Sequence, residues 1–190
     1  MTLQICATVS PPADVDGERA LVERAKYDSQ AFGQLYRRYY PVVAGYVYRR
    51  VGDRHATEDL VAEVFLTALR YLPRYRHRGV PVRAWFYRIA SNTVNRWARR
   101  QSRNPLWKSN GDALAGTPAQ SDPAPDGRAE RARRALLSLS PKYQTVLALH
   151  YLERMTVDEV ARALGCRAGT VKSRLSRGRE ALREKLQQRR

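Results

Sequence analysis

Apolar positions recur at helical spacing in three places over the first hundred residues. They are Phe32, Leu35, Tyr36, Tyr39 and Tyr40; then Leu60, Val61, Val64, Phe65, Ala68 and Leu69; then Phe86, Ala90, Thr93, Val94 and Trp97. Steps of three and four place each set on one side of a helix, and no alternating strand pattern competes, so this part predicts a compact helical bundle. Gly52-Asp53 separates the first helix from the second, with Asp53 placed to cap it, and Pro73 to Pro81 breaks the second from the third. Further along, Leu136, Leu137 and Leu139 close a helix. Ser140-Pro141 then opens the next as cap and first-turn proline, and Thr156 with Glu159 forms a capping box for a short third. Gly165 suits the left-handed position that ends a helix, and the pattern resumes at Ala168 and runs to about Leu186. Short helix, glycine turn and longer basic helix is the layout of a helix-turn-helix.

Between these halves, Gln101 to Gly127 contains Pro105, Pro118, Pro123 and Pro125 among Gly, Ser, Asn and Asp, with little hydrophobic period. That composition predicts a mobile linker. The expected architecture is all-α: two small helical domains joined by a flexible linker, the second a helix-turn-helix. Residues 1–20 are assigned to a disordered N-terminal tail, 21–100 to the first domain, 101–127 to the linker and 128–190 to the second domain.

Charge changes this picture from fold to partner. The 190 residues carry 35 Lys plus Arg against 18 Asp plus Glu, a net charge of +17, and 43 % are hydrophobic. Residues 71–103 hold nine arginines and no acid, and residues 128–190 hold sixteen bases and six acids; the segment between them is slightly acidic. Two separated basic blocks suit a polyanion touched in two places, because each base near a phosphate releases condensed counterions. A base-composition bias would also raise the arginine count, but it would scatter the residues rather than cluster them. No helix-length apolar run argues for membrane insertion. Two cysteines, Cys6 and Cys166, and no secretory signal fit a reduced, cytoplasmic chain without structural zinc. His55, His77 and His150 are far apart and have no catalytic or metal spacing, so neither a catalytic residue, a metal nor a cofactor is expected.

On a helical wheel, residues 81–100 place Phe86, Ala90, Thr93, Val94 and Trp97 on one side and Arg88, Asn92, Asn95, Arg96 and Arg99 on the other. Guanidinium forks beside amides, with no interleaved Glu, suit phosphates and base edges better than a solubility surface. Trp85 borders this face, and Tyr71, Tyr75 and His77 alternate with Arg74, Arg76 and Arg78 ahead of it, the composition of a single-strand stacking platform. Partial burial of Trp85 and Tyr75 in the core is the competing reading. Glu58, Asp59 and Glu63 form an acidic island pointing away from Leu60, Val61, Val64 and Phe65. Either a basic partner surface pairs with it, or the first two acids compensate the helix dipole. In the last helix, Val171, Leu175, Gly178 and Leu182 oppose Gly169, Lys172, Ser173, Ser176 and Arg177. Small residues let the backbone approach base edges, so Lys172 and Arg177 are the expected readers, while Arg167, Arg174 and Arg179 would hold phosphates.

The segments AFGQLYRRYYPVV, GDRHATEDLVAEVFLTAL, VRAWFYRIASNTVNRWARR, LSPKYQTVLALHYLERMTVDEVARALGC and GTVKSRLSRGREALREKL together resemble the extracytoplasmic-function sigma factors of the sigma-70 family. The resemblance spans nearly all of residues 27–186, departing from the family's pattern at Val82 and Arg167. It implies a sigma region 2 domain and a sigma region 4 domain that bind RNA polymerase core, at the clamp coiled coil of its largest subunit and the flap of its second. It implies direction of the polymerase to promoter DNA, single- and double-stranded, and an anti-sigma factor as a regulatory partner. Glu58, Asp59, Leu60, Glu63 and Phe65 then match the polymerase grip. Tyr75, Arg76, His77, Arg78, Trp85, Arg88, Asn92, Asn95, Arg96 and Arg99 match the surface that melts the −10 element. Arg167, Gly169, Thr170, Lys172, Ser173, Arg174, Ser176 and Arg177 match the reader of the −35 element. A stand-alone helix-turn-helix regulator explains the second domain but not an acid-free arginine and aromatic surface on the first. A nuclease would need a carboxylate cluster for metal ions, which the basic blocks do not offer.

Overall fold

The first long helix, α2 (Ser29–Val51), is fixed at both ends by residues that satisfy its loose backbone groups. The Asp28 carboxylate accepts the Gln30 N–H at 2.8 Å, and Gly52, at φ 78°, returns its own N–H to the Tyr48 carbonyl at 2.8 Å. The left-handed conformation at Gly52 is the one a side chain disfavours, which is why the helix stops there. Asp53 then caps α3 (Arg54–Tyr71), accepting the Ala56 N–H at 2.7 Å. A short 3-10 turn, Leu72–Arg74, follows, and α4 spans Val82–Arg103. The computed structural model describes residues 15–76, 81–103 and 127–188. Of the expected linker 101–127, residues 101–103 complete α4 and Gly127 opens the next helix, while 104–126, together with Cys6, His77 and Arg78, lie outside the described residues.

Inward positions of α2, α3 and α4 follow the helical period and meet in one core. Tyr39 stacks on Phe86 with ring centroids 4.8 Å apart, Phe65 tilts onto Phe86 at 5.4 Å, and Tyr36 tilts onto Phe65 at 4.6 Å. Each such pair contributes about 0.5–1.5 kcal/mol beyond the area it buries. A further helix, α1 (Val15–Ala25), begins inside the stretch expected to be a disordered tail. Its Val22 and Ala25 are buried, and the Glu18 carboxylate accepts the Tyr39 hydroxyl and, at 3.4 Å, the backbone N–H of Val82 at the start of α4. Apolar burial and this cap together order residues whose local sequence, rich in Pro and Asp just upstream, suggested none. Burial drives Tyr39 far above its usual pKa, with the Glu18 hydrogen bond and charge adding to it.

The second domain comprises α5 (Gly127–Leu137), α6 (Pro141–Leu147) running into a π-helical turn at Ala148–Leu152, α7 (Val157–Leu164) and α8 (Ala168–Gln187). The Ser140 hydroxyl makes no capping bond. Gln144 joins the two helices instead, its amide donating to the carbonyls of Leu137 at 2.7 Å and Leu139 at 2.8 Å. The expected capping box is present in full: Thr156 N–H donates to the Glu159 carboxylate at 2.8 Å, and Glu159 N–H to the Thr156 hydroxyl at 3.3 Å. Gly165 closes α7 at φ 64°. Gly178 lets α8 press on α6, since a Cβ there would sit 3.2–3.3 Å from Leu147 Cδ1 and Tyr143 Cβ. Among the described residues no strand occurs, as the apolar periods require, and α4 packs on both α6 and α7, so the two domains touch.

Candidate nucleic-acid and polymerase interface

Four-residue steps divide the polar residues of α4 into two stripes. Arg88, Asn92, Arg96 and Arg99 are exposed along the outer one, as the wheel requires of a ligand-facing surface. Arg83, Tyr87, Ser91 and Asn95 form the other, and each makes a hydrogen bond across to α2 or to the second domain. Asn95 therefore departs from the expected outward face: its side-chain oxygen accepts from Arg50 at 3.0 Å and from Thr145 at 3.4 Å. Trp85 is half-buried, tilted on Tyr75 at 4.7 Å and edge-on to Phe86 at 5.1 Å. Both aromatics pack against the core, as the competing reading expects, and both stay half-buried rather than enclosed. Burial is the largest of the causes pushing the Tyr75 hydroxyl up to about 12, followed by the charges of Glu18 and Glu23. Arg76 is exposed at the rim.

The acidic island is only partly as expected. Glu58 and Asp59 are exposed on α3, with Glu58 paired to Arg54 at 3.2 Å. Glu63 finds a basic partner within the chain, Arg96 of α4, at 2.9 Å. Leu60 and Phe65 are each only 4 % exposed and belong to the first-domain core, so neither can touch a partner protein. The apolar residues the α3 surface does offer include Leu66, 65 % exposed and one turn beyond Glu63, and Leu69, 47 % exposed although the apolar period places it inward. Its signal was the break in the core period: Leu66 falls one position past Phe65, on the outer side.

On α8, Val171, Leu175 and Gly178 are buried and Leu182 is half-buried, while Gly169, Lys172, Ser173, Ser176 and Arg177 are exposed, as the wheel predicts. Arg167 is exposed at the N-cap position, where its side chain makes no capping bond, and Thr170 and Arg174 are half-buried. Arg179 donates to the Tyr151 hydroxyl at 3.1 Å. The exposed face of α8 is therefore a short, cationic, donor-rich strip.

Residues between the domains were not anticipated. Arg50 is 4 % exposed and donates to Tyr46 at 2.8 Å, Thr145 at 2.9 Å, Asn95 at 3.0 Å and Gln144 at 3.2 Å, all neutral acceptors. Glu153 of the second domain takes hydrogen bonds from Arg49 and Tyr87 of the first. Burial, with the Glu153 charge and hydrogen bond, raises the Tyr87 pKa far above its usual value. Glu159 accepts from Arg83 at 2.9 Å. Burial pushes its carboxyl upward, but the Thr156 N–H and Arg83 outweigh that and hold it below the usual range. The signal available in the sequence was the four-residue step Arg83, Tyr87, Ser91, Asn95, polar groups repeating on one side of an otherwise apolar arc.

Two helical domains, each presenting a cationic face and the second built as a helix-turn-helix, define the class of a nucleic-acid-binding protein. The model of sigma-70 region 2 matches residues 35–104 and that of sigma-70 region 4 matches residues 129–182. The chain is 34 % identical over 185 residues to the ECF RNA polymerase sigma-E factor of Escherichia coli, covering 90 % of this chain and 94 % of that one. It is 32 % identical over 185 residues to its Haemophilus influenzae counterpart, covering 90 % and 95 %. It is 35 % identical over 170 residues to the ECF RNA polymerase sigma factor BldN of Streptomyces coelicolor, covering 86 % of this chain but only 64 % of that longer protein. Among solved structures, CnrH in complex with the cytosolic domain of CnrY shares the fold at TM-score 0.64 and 22 % identity, over 90 % of this chain and 98 % of that one. The chain belongs to the extracytoplasmic-function sigma factors of the sigma-70 family, the promoter-specific initiation factors of RNA polymerase.

Proposed function

We propose that the first domain grips polymerase core through Asp59, Glu63 and the exposed Leu66 of α3, and that its α4 face holds the opened −10 element. The second domain reads the intact −35 element through α8. The observation that carries this reading is the pair of separate cationic faces, one bordered by half-buried aromatics and one on a helix-turn-helix. Each base drawn out of a duplex costs a few kcal/mol in stacking and pairing, which contacts from Tyr75, Trp85, Arg88, Asn92 and Arg96 offset. Lys172 and Arg177 stand where a groove-entering helix meets base edges, and Arg167 and Arg174 where it meets phosphates. No step makes or breaks a covalent bond, so no catalytic residue is assigned. We place the chain in the cytoplasm with the nucleoid; no helix among the described residues is long and apolar enough to cross a membrane. An anti-sigma factor is the regulator this class of protein would answer to; the complexes of CnrH with CnrY and of the sigma factor RpoE with NepR support that reading.

The test is promoter-specific transcription by purified core polymerase with and without the protein. Asp59→Arg with Glu63→Arg is expected to abolish co-purification with core while the helical circular-dichroism signal stays unchanged. Undiminished co-purification of that variant would refute the grip.

A further inference from the structure

Helix α1 carries one residue that its own packing does not explain. Leu21, Val22 and Ala25 form its inward stripe, and Glu18, one turn earlier on the same side, is a half-buried carboxylate in line with them. An acid on a buried stripe costs stability unless its oxygens are met. Here both are: one accepts the Tyr39 hydroxyl of α2, and the other accepts the Val82 N–H of α4 at 3.4 Å. Glu18 therefore joins three helices at one point, ahead of residue 35, where the match to region 2 begins.

The Val82 end of this bridge reaches the DNA-facing helix. Val82 is the first residue of α4 and is fully buried, so its N–H has no access to water. The first N–H groups of a helix have no partner inside it, and a buried one must find an acceptor elsewhere. A carboxylate suits that place twice over, since it also faces the positive end of the helix dipole. Trp85 lies three residues further, on the same first turn, with its ring tilted on Tyr75 at 4.7 Å and edge-on to Phe86 at 5.1 Å. Tyr75 feels the same acid: burial first, then the charges of Glu18 and Glu23, push its hydroxyl up to about 12. The aromatic pair assigned to the opened strand thus stands beside the point where Glu18 fixes the start of α4.

We propose that Glu18 is a positioning residue of the strand-holding face: its two hydrogen bonds fix the first turn of α4 and thereby the angle at which Trp85 and Tyr75 meet a base. Helix α1 is then part of the working site as well as a brace for the bundle. This inference deepens the initiation-factor reading and rests on its assignment of Tyr75 and Trp85 to the opened strand.

Charge and position predict opposite signs. Removing an acid from beside a DNA site tightens binding if charge alone acts, whereas removing a positioning group loosens it. The full chain carries Trp97→Phe and Trp107→Phe, so that Trp85 is its one tryptophan. Anisotropy of a labelled single-stranded oligonucleotide of about 12 bases and mixed sequence reads affinity, and acrylamide quenching of Trp85 without DNA reads placement. Glu18→Ala is expected to bind about tenfold more weakly, the size of one lost base stack, and to raise the quenching, with the helical circular-dichroism signal retained. Glu18→Gln keeps an acceptor for Val82 and a donor for the Tyr39 oxygen, and is expected to stay within about twofold of the parent in both readouts. Glu23→Ala, the same charge change on the same helix at a residue paired with Lys26, is expected to bind no more weakly than the parent. Should Glu18→Ala unfold, Tyr39→Phe withdraws one of the two bonds while keeping the ring on Phe86, and is expected to move both readouts the same way by about threefold. Quenching that neither Glu18→Ala nor Tyr39→Phe changes, tighter binding by Glu18→Ala, or a Glu18→Gln chain as weak as Glu18→Ala would overturn the positioning role. A parent that does not bind the oligonucleotide, while Glu18→Ala still exposes Trp85, would refute the strand-holding reading and leave the placement of α4 by Glu18 standing.

Discussion

The helices α4 and α8 both carry arginine on an exposed face, but they are held in opposite ways. α4 sits in the aromatic core of Tyr39, Phe65 and Phe86, is capped at its start by Glu18 of a distant helix, and has Arg83, Tyr87, Ser91, Asn95 and Arg96 tied up within the chain. α8 rests on its domain's other helices through Val171, Leu175 and Gly178, and its strip of Lys172, Ser173, Ser176 and Arg177 is exposed. A surface that opens a duplex must hold bases against their own stacking energy, so rigidity contributes directly to its work. A helix that enters a groove needs only the correct short side chains and a fixed angle to its neighbour, which a capping box and a glycine turn provide.

The largest expected effect tests whether the aromatic core supports the α4 face. Phe86→Ala removes the ring shared by Tyr39, Phe65 and Trp85 and is expected to destabilise the first domain by about 3–5 kcal/mol. Chemical denaturation followed by circular dichroism checks this, and a loss below about 1 kcal/mol would mean that α4 is held mainly by its caps. A smaller effect is expected on α8. Lys172→Ala or Arg177→Ala should leave stability unchanged and weaken binding to a duplex carrying the −35 element by about 1–3 kcal/mol for a base-reading contact. If either change instead lowered affinity equally for every duplex sequence, that residue would be holding a phosphate, and the contrast between reading and positioning along α8 would have to be redrawn.

Much of this was legible in the residues because local rules and tertiary packing agree. The apolar period placed most inward positions of α3 and α8, with Leu69 the miss, and found Phe86, Ala90, Thr93 and Val94 on α4 but not the buried Val82, Ala84, Tyr87, Ile89 and Ser91; the Asp53 cap, the Thr156–Glu159 box and Gly165 lie where the sequence pointed. Other features were not local. Helix α1 is ordered by a partner for Glu18 sixty-four residues away, which no window of sequence contains. Leu60 and Phe65 were drawn into the candidate polymerase grip by their neighbours in sequence, although the same period that made α3 amphipathic sends them to the core. Asn95 was read from its own helix alone, where it borders the outward arc; the Arg50 guanidinium that turns it inward comes from α2, whose arginines carry no local sign of burial. The contact between the domains is a property of two surfaces meeting, and only one of them can be seen from either segment.

The smallest effect concerns Glu159, which serves both sides of the comparison by capping α7 within the second domain and pairing with Arg83 of α4. Its carboxyl titrates below the usual range in the folded chain, so the folded protein binds that proton less readily than the unfolded one does. The stabilisation it gives is present above its unfolded value of 4.5 and is lost as pH falls through the lower folded value. Lowering the pH from 6 towards 3 is therefore expected to weaken the stability of the second domain and the Arg83–Glu159 contact between α4 and α7 together. Glu159→Gln should show a shallower pH dependence of both, since no proton remains to be taken up at that position. Thermal unfolding, and energy transfer between dyes on Tyr27→Cys and Gln187→Cys in a Cys6→Ser, Cys166→Ser background, measured across the same pH series separate the two roles: a variant that flattens the unfolding profile but not the transfer profile would confine Glu159 to capping.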